Sequence, residues 1–241
     1  MNVRDELILR SFIVILTSMV LCVTIGTGLA RADAPYKVGE TVTYAIKKFG
    51  VKAGEATLVY QGPVTFHGVQ FHLITFKAES LNFLDEENIY VTPKTFYPAL
   101  VERNLNIFGK KEKIFEQYDA GQGSVTVTKV AGGKTTTETI KGKGKGPLDN
   151  IYTFIFRYRQ NGKFTVGETL TAELPTKSVN FKVVSREQVK IAGEKRDAFF
   201  LESDSSDYRV WFDTTDKKIP LMIDGALGIA KMTMLMAEYK P

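Results

Sequence analysis

Val38-Gly39-Glu40-Thr41-Val42-Thr43 returns later in the chain as Val166-Gly167-Glu168-Thr169-Leu170-Thr171. In both copies a glycine precedes threonines that alternate with apolar residues, and this alternation is typical of a β-strand with one buried face. We expect the glutamates, Glu40 and Glu168, to be solvated, since each directly follows a turn glycine. The repeat predicts that two related units of the chain each open with such a strand.

The features that follow the two copies also occur in the same order. They are Gly68, Tyr90-Val91 and Pro98-Ala99-Leu100 in the first unit, and Gly193, Trp211-Phe212 and Pro220-Leu221 in the second. Each set consists of a hairpin glycine, an aromatic-led strand and a proline-led strand, and a series repeated in order indicates an internal duplication. We therefore predict two related halves, over residues 36–146 and 163–241.

The rest of the chain carries mostly strand signals. Turn signals recur about every 8–12 residues, as in sandwiches and barrels. Gly132-Gly133 joins the strand-like segments Val125–Val130 and Thr135–Ile140 in a hairpin pattern. No stretch is long enough to be a linker between domains. The sequence therefore predicts one all-β domain over residues 33–241, built as a large curved antiparallel sheet or a barrel.

One segment between the two halves has helical spacing instead. Apolar residues at positions 148, 151, 152, 155 and 158 recur every three or four residues. Pro147 suits a first helical turn, and Gly162 lies just past the end. We predict a helix at about 147–160. Because it is apolar on nearly all sides, we expect it to be buried, plugging the barrel or lying across its mouth.

The N-terminus has the pattern of a secretory signal peptide. Arg4 and Arg10 precede an apolar run over about residues 12–25, and Ala30-Arg31-Ala32 fits a small-x-small cleavage site. An uncleaved membrane anchor is the alternative, but the run is shorter than the roughly 20 residues of a spanning helix. We predict that residues 1–32 are a cleaved signal peptide and that the protein is periplasmic.

Composition narrows the possible chemistry. Cys22, the only cysteine, lies inside the apolar run, so the exported chain would have no disulfide, thiolate metal site or cysteine nucleophile. The formal net charge is +5 and stays positive without residues 1–32. This mild positive charge permits contact with an anionic surface, whereas export argues against nucleic acid as a partner.

No pattern of catalytic residues stands out. The chain has neither a Gly-x-Ser-x-Gly elbow nor a His-Glu-x-x-His helix, so we expect no enzymatic activity and no cofactor. Asp85-Glu86-Glu87 is an acidic cluster that could hold a calcium ion, but it lacks the spaced loop that oxygen coordination prefers. We expect it to be a solvated turn.

Three methionines are the sharpest candidate for a binding site. Met232, Met234 and Met236 alternate in the last predicted strand and therefore share one face. They line a core or an apolar cavity, for which flexible methionine is suited, or they bind Cu(I), which thioethers select. The predicted ligand-binding residues are Met232, Met234, Met236, Phe154, Tyr158 and Trp211.

A basic run and the other aromatic residues leave alternatives open. Lys141-Gly142-Lys143-Gly144-Lys145-Gly146 is either a mobile connector or a contact for lipid headgroups or anionic glycans. We expect most phenylalanines, Phe49 among them, to fill the core. Phe83-Leu84 and Ile107-Phe108 lie beside predicted turns, and their alternative is to rim a ligand opening.

Several segments together resemble a known family. They are Tyr36–Tyr44, Gly50–Ala56, Pro147-Leu148-Asp149, Val166-Gly167-Glu168, Arg209–Asp213 and Ile219-Pro220-Leu221. In them the chain resembles the exported bacterial proteins grouped as domain of unknown function 3108, over essentially its whole length after the signal. The resemblance implies an envelope location and a β-barrel-like fold similar to lipocalins or lipoprotein carriers. It brings no catalytic residue, and the methionine series is not part of its pattern.

These observations lead to a first hypothesis about function. We expect a periplasmic, non-enzymatic protein that binds an apolar or amphipathic ligand such as a lipid. One alternative is a structural or assembly partner in the envelope. It would dock on another envelope protein or a membrane surface through strand edges and the lysine-rich hairpin, which carries Lys129 and Lys134 and leads into the basic run. The other alternative is a Cu(I) protein with its site at the three methionines.

Overall fold

A computed structural model describes Ala34 and residues 36–144, 146–227 and 230–241. The predicted signal peptide and Lys145 of the basic run lie outside the described residues. Within them the chain forms one curved antiparallel sheet of 14 strands and one helix. The prediction of a large curved antiparallel sheet is confirmed, and the sheet is not closed into a barrel.

The strands follow the predicted series of short alternating segments. They are β1 (Thr41–Lys48), β2 (Val51–Phe66), β3 (Val69–Ser80), β4 (Phe83–Val91), β5 (Pro98–Ile107), β6 (Lys110–Asp119), β7 (Ser124–Ala131), β8 (Lys134–Lys141), β9 (Thr169–Glu173), β10 (Ser178–Ile191), β11 (Glu194–Ser203), β12 (Arg209–Asp213), β13 (Pro220–Leu227) and β14 (Ala230–Lys240).

The sheet is a meander whose first and last strands lie side by side. Its order is β8-β7-β6-β5-β4-β3-β2-β1-β14-β13-β12-β11-β10-β9, and Thr41 at the start of β1 pairs with Lys240 at the end of β14. Strands that follow each other in sequence are therefore neighbours everywhere except between β8 and β9. In the described part of the chain these two strands form the edges of the sheet.

The duplicated phrase builds the same turn twice. The Gly39 N–H donates to the Tyr60 carbonyl, and the Gly167 N–H donates to the Val183 carbonyl, both at 2.8 Å. The φ angles of the two glycines are +87° and +94°, in a region that side chains with a Cβ rarely adopt. The recurring glycine is thus required by the backbone of the turn.

The correspondence of the halves extends along the sheet. The β2–β3 register shifts after Tyr60 and the β10–β11 register after Val183. A second shift follows Tyr90 in β4 and Trp211 in β12. Strands β1–β6 therefore correspond to β9–β14, which explains the repeated order of sequence features.

The open edge has a simple cause in this duplication. Since β1 pairs with β14, the equivalent contact would pair β9 with β6. The hairpin β7–β8, which has no counterpart in the second half, instead occupies that edge of β6. It is the hairpin predicted from Gly132-Gly133, and its presence leaves β9 without a strand partner on its outer side among the described residues.

The helix α1 (Ile151–Asn161) lies against one face of the sheet, called the inner face here. Tyr152 stacks on Phe76 of β3 at 4.1 Å between ring centroids, and Phe154 stacks on Phe181 of β10 at 4.8 Å. Because β3 and β10 belong to different halves, the sheet curves around the helix. The prediction of an apolar helix between the halves is confirmed.

The helix begins at Ile151, four residues later than Pro147, because Asn150 caps it. The Asn150 side chain accepts the Tyr152 N–H, and the Thr153 hydroxyl accepts the Asn150 N–H, which satisfies two free donors of the first turn. Among the described residues no helix has the length and apolar character of a membrane span.

Candidate functional site

The three methionines lie on the inner face of β14. Met234 is paired with Ile46 of β1 and Ile223 of β13, and Met236 is paired with Tyr44. Met234 and Met236 are buried and Met232 is partly buried. Of the three, only Met232 thus lies at the margin of the core.

An apolar cavity lies between the methionines and the first turns of α1. Its volume is about 30 Å³, and its lining includes Ile151, Tyr152, Ile155, Ile223, Met232 and Met234. A volume of this size holds about one water molecule. No charged side chain lines it, so in this conformation the cavity is a small gap in an apolar core.

The other predicted ligand-binding residues lie elsewhere. Phe154 and Tyr158 stack on each other and on Phe181 and Phe164, away from the cavity. Trp211 lies on the outer face of the sheet, where it stacks on Phe200 at 4.7 Å and donates its indole N–H to Glu187 at 2.7 Å. The structure thus brings Met232 and Met234 together with α1 but places Trp211 across the sheet.

The glutamate of the first repeat is buried in an ion pair. Glu40 is 2% exposed, and Arg159 of α1 donates to both of its carboxylate oxygens, at 2.6 and 3.1 Å. The Tyr239 hydroxyl donates to the same carboxylate at 3.0 Å, and burial together with the Glu40 charge raises the pKa of Tyr239 to about 12. The expectation of a solvated Glu40 was wrong, because the curved sheet brings this turn against the end of the helix.

The glutamate of the second repeat holds the neighbouring helix residue. Glu168 is partly buried and accepts the Tyr158 hydroxyl at 3.1 Å and the Lys163 N–H at 3.1 Å. Burial raises the pKa of Tyr158 above its ordinary value, and Glu168 raises it further. The two copies of the phrase therefore hold two consecutive residues at the C-terminal end of α1.

We expect the Tyr158→Phe substitution to lower the free energy of unfolding by about 1–2 kcal/mol, because Glu168 would lose a donor in a partly buried position. Urea unfolding followed by Trp211 fluorescence measures the change. An unchanged midpoint would mean that water replaces the hydroxyl and that this contact does not hold the helix.

A second set of buried charges lies on the inner face beside the start of α1. Asp85 and Glu87 of β4 are 1% and 6% exposed, and Arg103 of β5 donates to Asp85 at 2.5 and 2.7 Å. The Arg103 Nε atom is also 3.4 Å from Glu87. The acidic cluster is therefore part of a strand and an ion-paired network, and the expectation of a solvated turn was wrong.

This network is connected to the helix cap. Asn150 donates to Glu87 at 3.4 Å, while Asp149 accepts the Thr153 hydroxyl at 2.7 Å and forms an ion pair with Arg157. Burial raises the pKa of Glu87 to about 7, because it opposes the charged form more strongly than Arg103 favours it. Burial also raises the pKa of Asp149. Buried charges thus fasten α1 at both ends.

This arrangement holds α1 against the sheet through buried, paired charges. Each buried carboxylate named above has a cation or hydrogen-bond donor within the core. In the described ranges no three histidine, cysteine or acidic side chains are grouped so that they could hold a metal ion. The geometry is that of a sheet whose concave side is filled by a tethered helix.

Comparisons with known proteins place the chain in one family. No curated protein and no solved structure matches it significantly. The sequence model of the family described as Protein of unknown function (DUF3108) matches residues 41–236. The match runs from the first residue of β1 into β14 and so includes both halves and the helix. The chain therefore belongs to the DUF3108 family.

Proposed function

We propose that this protein is a non-enzymatic component of the periplasm that binds the apolar chain of an amphipathic lipid beside α1. The observation that carries the proposal is the uncharged cavity between α1 and β13–β14, which Met232 and Met234 line. Apolar cavities bordered by adaptable side chains favour apolar ligands of variable shape.

Entry of a ligand requires a change at the margin of the cavity. The present volume of about 30 Å³ is much smaller than the roughly 300 Å³ or more of common ligand pockets. Met232 is the partly buried lining residue with three rotatable side-chain bonds. Its movement, with a shift of the neighbouring Ile151, opens the cavity while Glu40 and Arg159 keep the far end of the helix in place.

A titration with a fluorescent fatty acid, such as dansyl-undecanoic acid, tests this proposal. We expect Met232→Trp to weaken binding by about tenfold or more, since the indole fills the space that the acyl chain needs. Met222→Trp is the matched control, because Met222 is a partly buried methionine on the outer face of β13. Equal affinities of the wild type and Met232→Trp would contradict the proposed position of the ligand.

A second candidate function rests on the outer edge of β9 at Thr169 and Thr171; farther along this edge the Glu173 carbonyl already accepts the Asp149 N–H at 2.6 Å. The Glu168 carbonyl accepts the Val183 N–H of β10, and Leu174 exchanges two hydrogen bonds with Lys177 just before β10. By alternation the backbone N–H and C=O groups of Thr169 and Thr171 therefore point away from the sheet. Such an edge can accept a strand of another envelope protein.

Thr171→Pro would remove one outward donor and keep the backbone bonds to β10, losing only the side-chain bond from the Thr171 hydroxyl to Asn180. Loss of a specific crosslinked partner in cells would therefore support this candidate. An unchanged crosslinking pattern would contradict it.

The Cu(I) alternative gains no support from the geometry. Met234 and Met236 are packed in register with Ile46, Ile223 and Tyr44, as expected for residues of an apolar core. The copper site stays a prediction from the methionine spacing alone.

A further inference from the structure

Three neighbouring hairpin tips expose large apolar side chains at one end of the strands. Phe49 between β1 and β2 is 95% exposed, Leu81 between β3 and β4 is 95% exposed, and Phe108 between β5 and β6 is 71% exposed. Because the sheet is a meander, these three tips lie at the same end of the strands. Two of them are in direct contact, since the Phe108 N–H donates to the Asn82 carbonyl at 2.8 Å. We call Phe49, Leu81 and Phe108 the apolar rim.

The backbone gives no reason for phenylalanine in two of these tips. Phe49 and Phe108 have φ angles of +53° and +50°, and the glycines that follow them have +81° and +84°. Two successive positive φ angles define the tight hairpin turn that asparagine followed by glycine favours, and a bulky residue is disfavoured there. We expected Phe49 to fill the core, but its ring is in solvent.

At the opposite end of the strands, two hairpins have the same turn without the same side chains. His67-Gly68 and Ala192-Gly193 adopt matching positive φ angles, yet they present histidine and alanine. The turn geometry therefore does not select large apolar residues. Among the described residues, the exposed phenylalanine and leucine side chains all lie at this one end of the strands, whereas the opposite end exposes only valines. These larger side chains mark a surface that contacts something other than water.

The charges around the apolar rim indicate the chemistry of that partner. Lys48, Lys110 and Lys111 are exposed next to the tips, and none of them forms an ion pair with another residue in the described ranges. The Lys48 ammonium lies 5.8 Å from the Phe49 ring centroid. Exposed apolar side chains flanked by lysines are typical of surfaces that bind bilayers containing anionic lipids.

We propose that the apolar rim inserts into the boundary between headgroups and acyl chains of an anionic bilayer, with the flanking lysines at the headgroups. Phenylalanine and leucine side chains gain free energy by leaving water there, and the lysines gain by contact with phosphates. The hairpin β13–β14 has its turn at the same end of the strands as the apolar rim. The cavity, whose lining includes Gly225 and Met232, therefore lies between α1 and the rim. Membrane docking does not depend on whether that cavity takes up a lipid.

Flotation with vesicles tests the proposal. We expect the protein to bind vesicles of phosphatidylcholine mixed with phosphatidylglycerol, and to bind pure phosphatidylcholine vesicles about tenfold or more weakly. The variant Phe49→Asn/Leu81→Ser/Phe108→Asn should lose binding to the anionic vesicles by at least about tenfold. Because asparagine suits both turns, the melting temperature of this variant should equal or exceed that of the wild type. This measurement separates lost binding from misfolding.

Two further variants separate the contributions. Val69→Ser/Val166→Ser/Val184→Ser removes three apolar side chains that are 53%, 57% and 42% exposed away from the rim, and it should bind like the wild type. Lys48→Gln/Lys110→Gln/Lys111→Gln should abolish the preference for anionic vesicles. All proteins are expressed from the full sequence, so a common N-terminus cannot explain a difference.

The outcome is decided by two comparisons. A wild-type protein that floats with neither vesicle type would overturn the proposal and leave a protein partner as the occupant of the rim. Equal flotation of the wild type and the rim variant would also overturn it, because binding would then occur elsewhere on the chain.

Discussion

Replacing Glu40 by alanine is expected to lower the free energy of unfolding by about 3–5 kcal/mol. The Arg159 side chain is fully buried, and without the carboxylate its charge would keep only the Lys217 carbonyl as a hydrogen-bond acceptor. Leaving a buried charge without its counterion costs far more than the intact pair contributes. Urea unfolding at neutral pH measures the change.

Two comparisons distinguish this cause from a general effect of the turn. Glu40→Ala/Arg159→Met removes both charges and should recover much of the lost stability, since a buried ion pair replaced by apolar groups is often neutral. Glu168→Ala, at the equivalent position of the second half, should cost only about 1–2 kcal/mol, because its partners are a hydroxyl and backbone N–H groups. A Glu40→Ala variant as stable as the wild type would mean that Arg159 finds another partner.

The duplication and the sheet could be predicted because their signals are local. The alternation in Thr41–Lys48 and the glycines at 39 and 167 are visible within a few residues of sequence, and the order of the repeats predicted the halves. The ion pair of Glu40 and Arg159 could not be predicted, since 119 residues separate them. Their contact exists only because β1, α1 and β14 meet at one end of the sheet.

The acidic cluster shows that strand register, and not composition, determines which of its carboxylates are buried. Asp85-Glu86-Glu87 looks like a solvated turn, yet in β4 the first and third side chains point to the inner face. Glu87 meets Arg103 because the two are paired between β4 and β5, and this register follows from a turn that the sequence does not locate. Burial of the two carboxylates then depends on α1, which covers the inner face.

The candidate site could likewise be predicted only in part. The shared face of Met232 and Met234 follows from period-two alternation alone. The separate position of Trp211 depends on which of Trp211 and Phe212 faces the helix, and alternation cannot choose between them. The exposure of Phe49 has a sequence signal that composition hid, since a phenylalanine directly before a hairpin glycine is unusual.

The stability of the folded protein is expected to fall as the pH rises from about 4.5 to about 7, because burial raises the pKa of Glu87 from 4.5 to about 7. Below this window the carboxyl is protonated in both states. Within this pH window the unfolded chain releases the proton while the folded chain keeps it. Rising pH therefore lowers the free energy of the unfolded state relative to the folded state. Above pH 7 the loss is complete, at about 3 kcal/mol.

The charges that face Glu87 set the size of this effect. Arg103 lowers its pKa, Asp85 and Glu116 raise it, and the Asn150 side chain lowers it by donating a hydrogen bond. Asp149 contributes with the same sign, because burial raises its pKa as well. The cap of α1 therefore lies beside carboxyl groups that are more easily protonated in the folded protein than in the unfolded chain.

The substitution Glu87→Gln isolates the contribution of this one group. Glutamine keeps an oxygen that can accept the Asn150 amide but has no proton to release. The variant should match the wild type near pH 4.5, be more stable by about 2–3 kcal/mol at pH 8, and show a flatter dependence between these values. Urea unfolding at several pH values measures this, with Glu138→Gln on the exposed strand β8 as the control. An unchanged slope in Glu87→Gln would mean that Glu87 is already ionised in the folded protein, held so by Arg103.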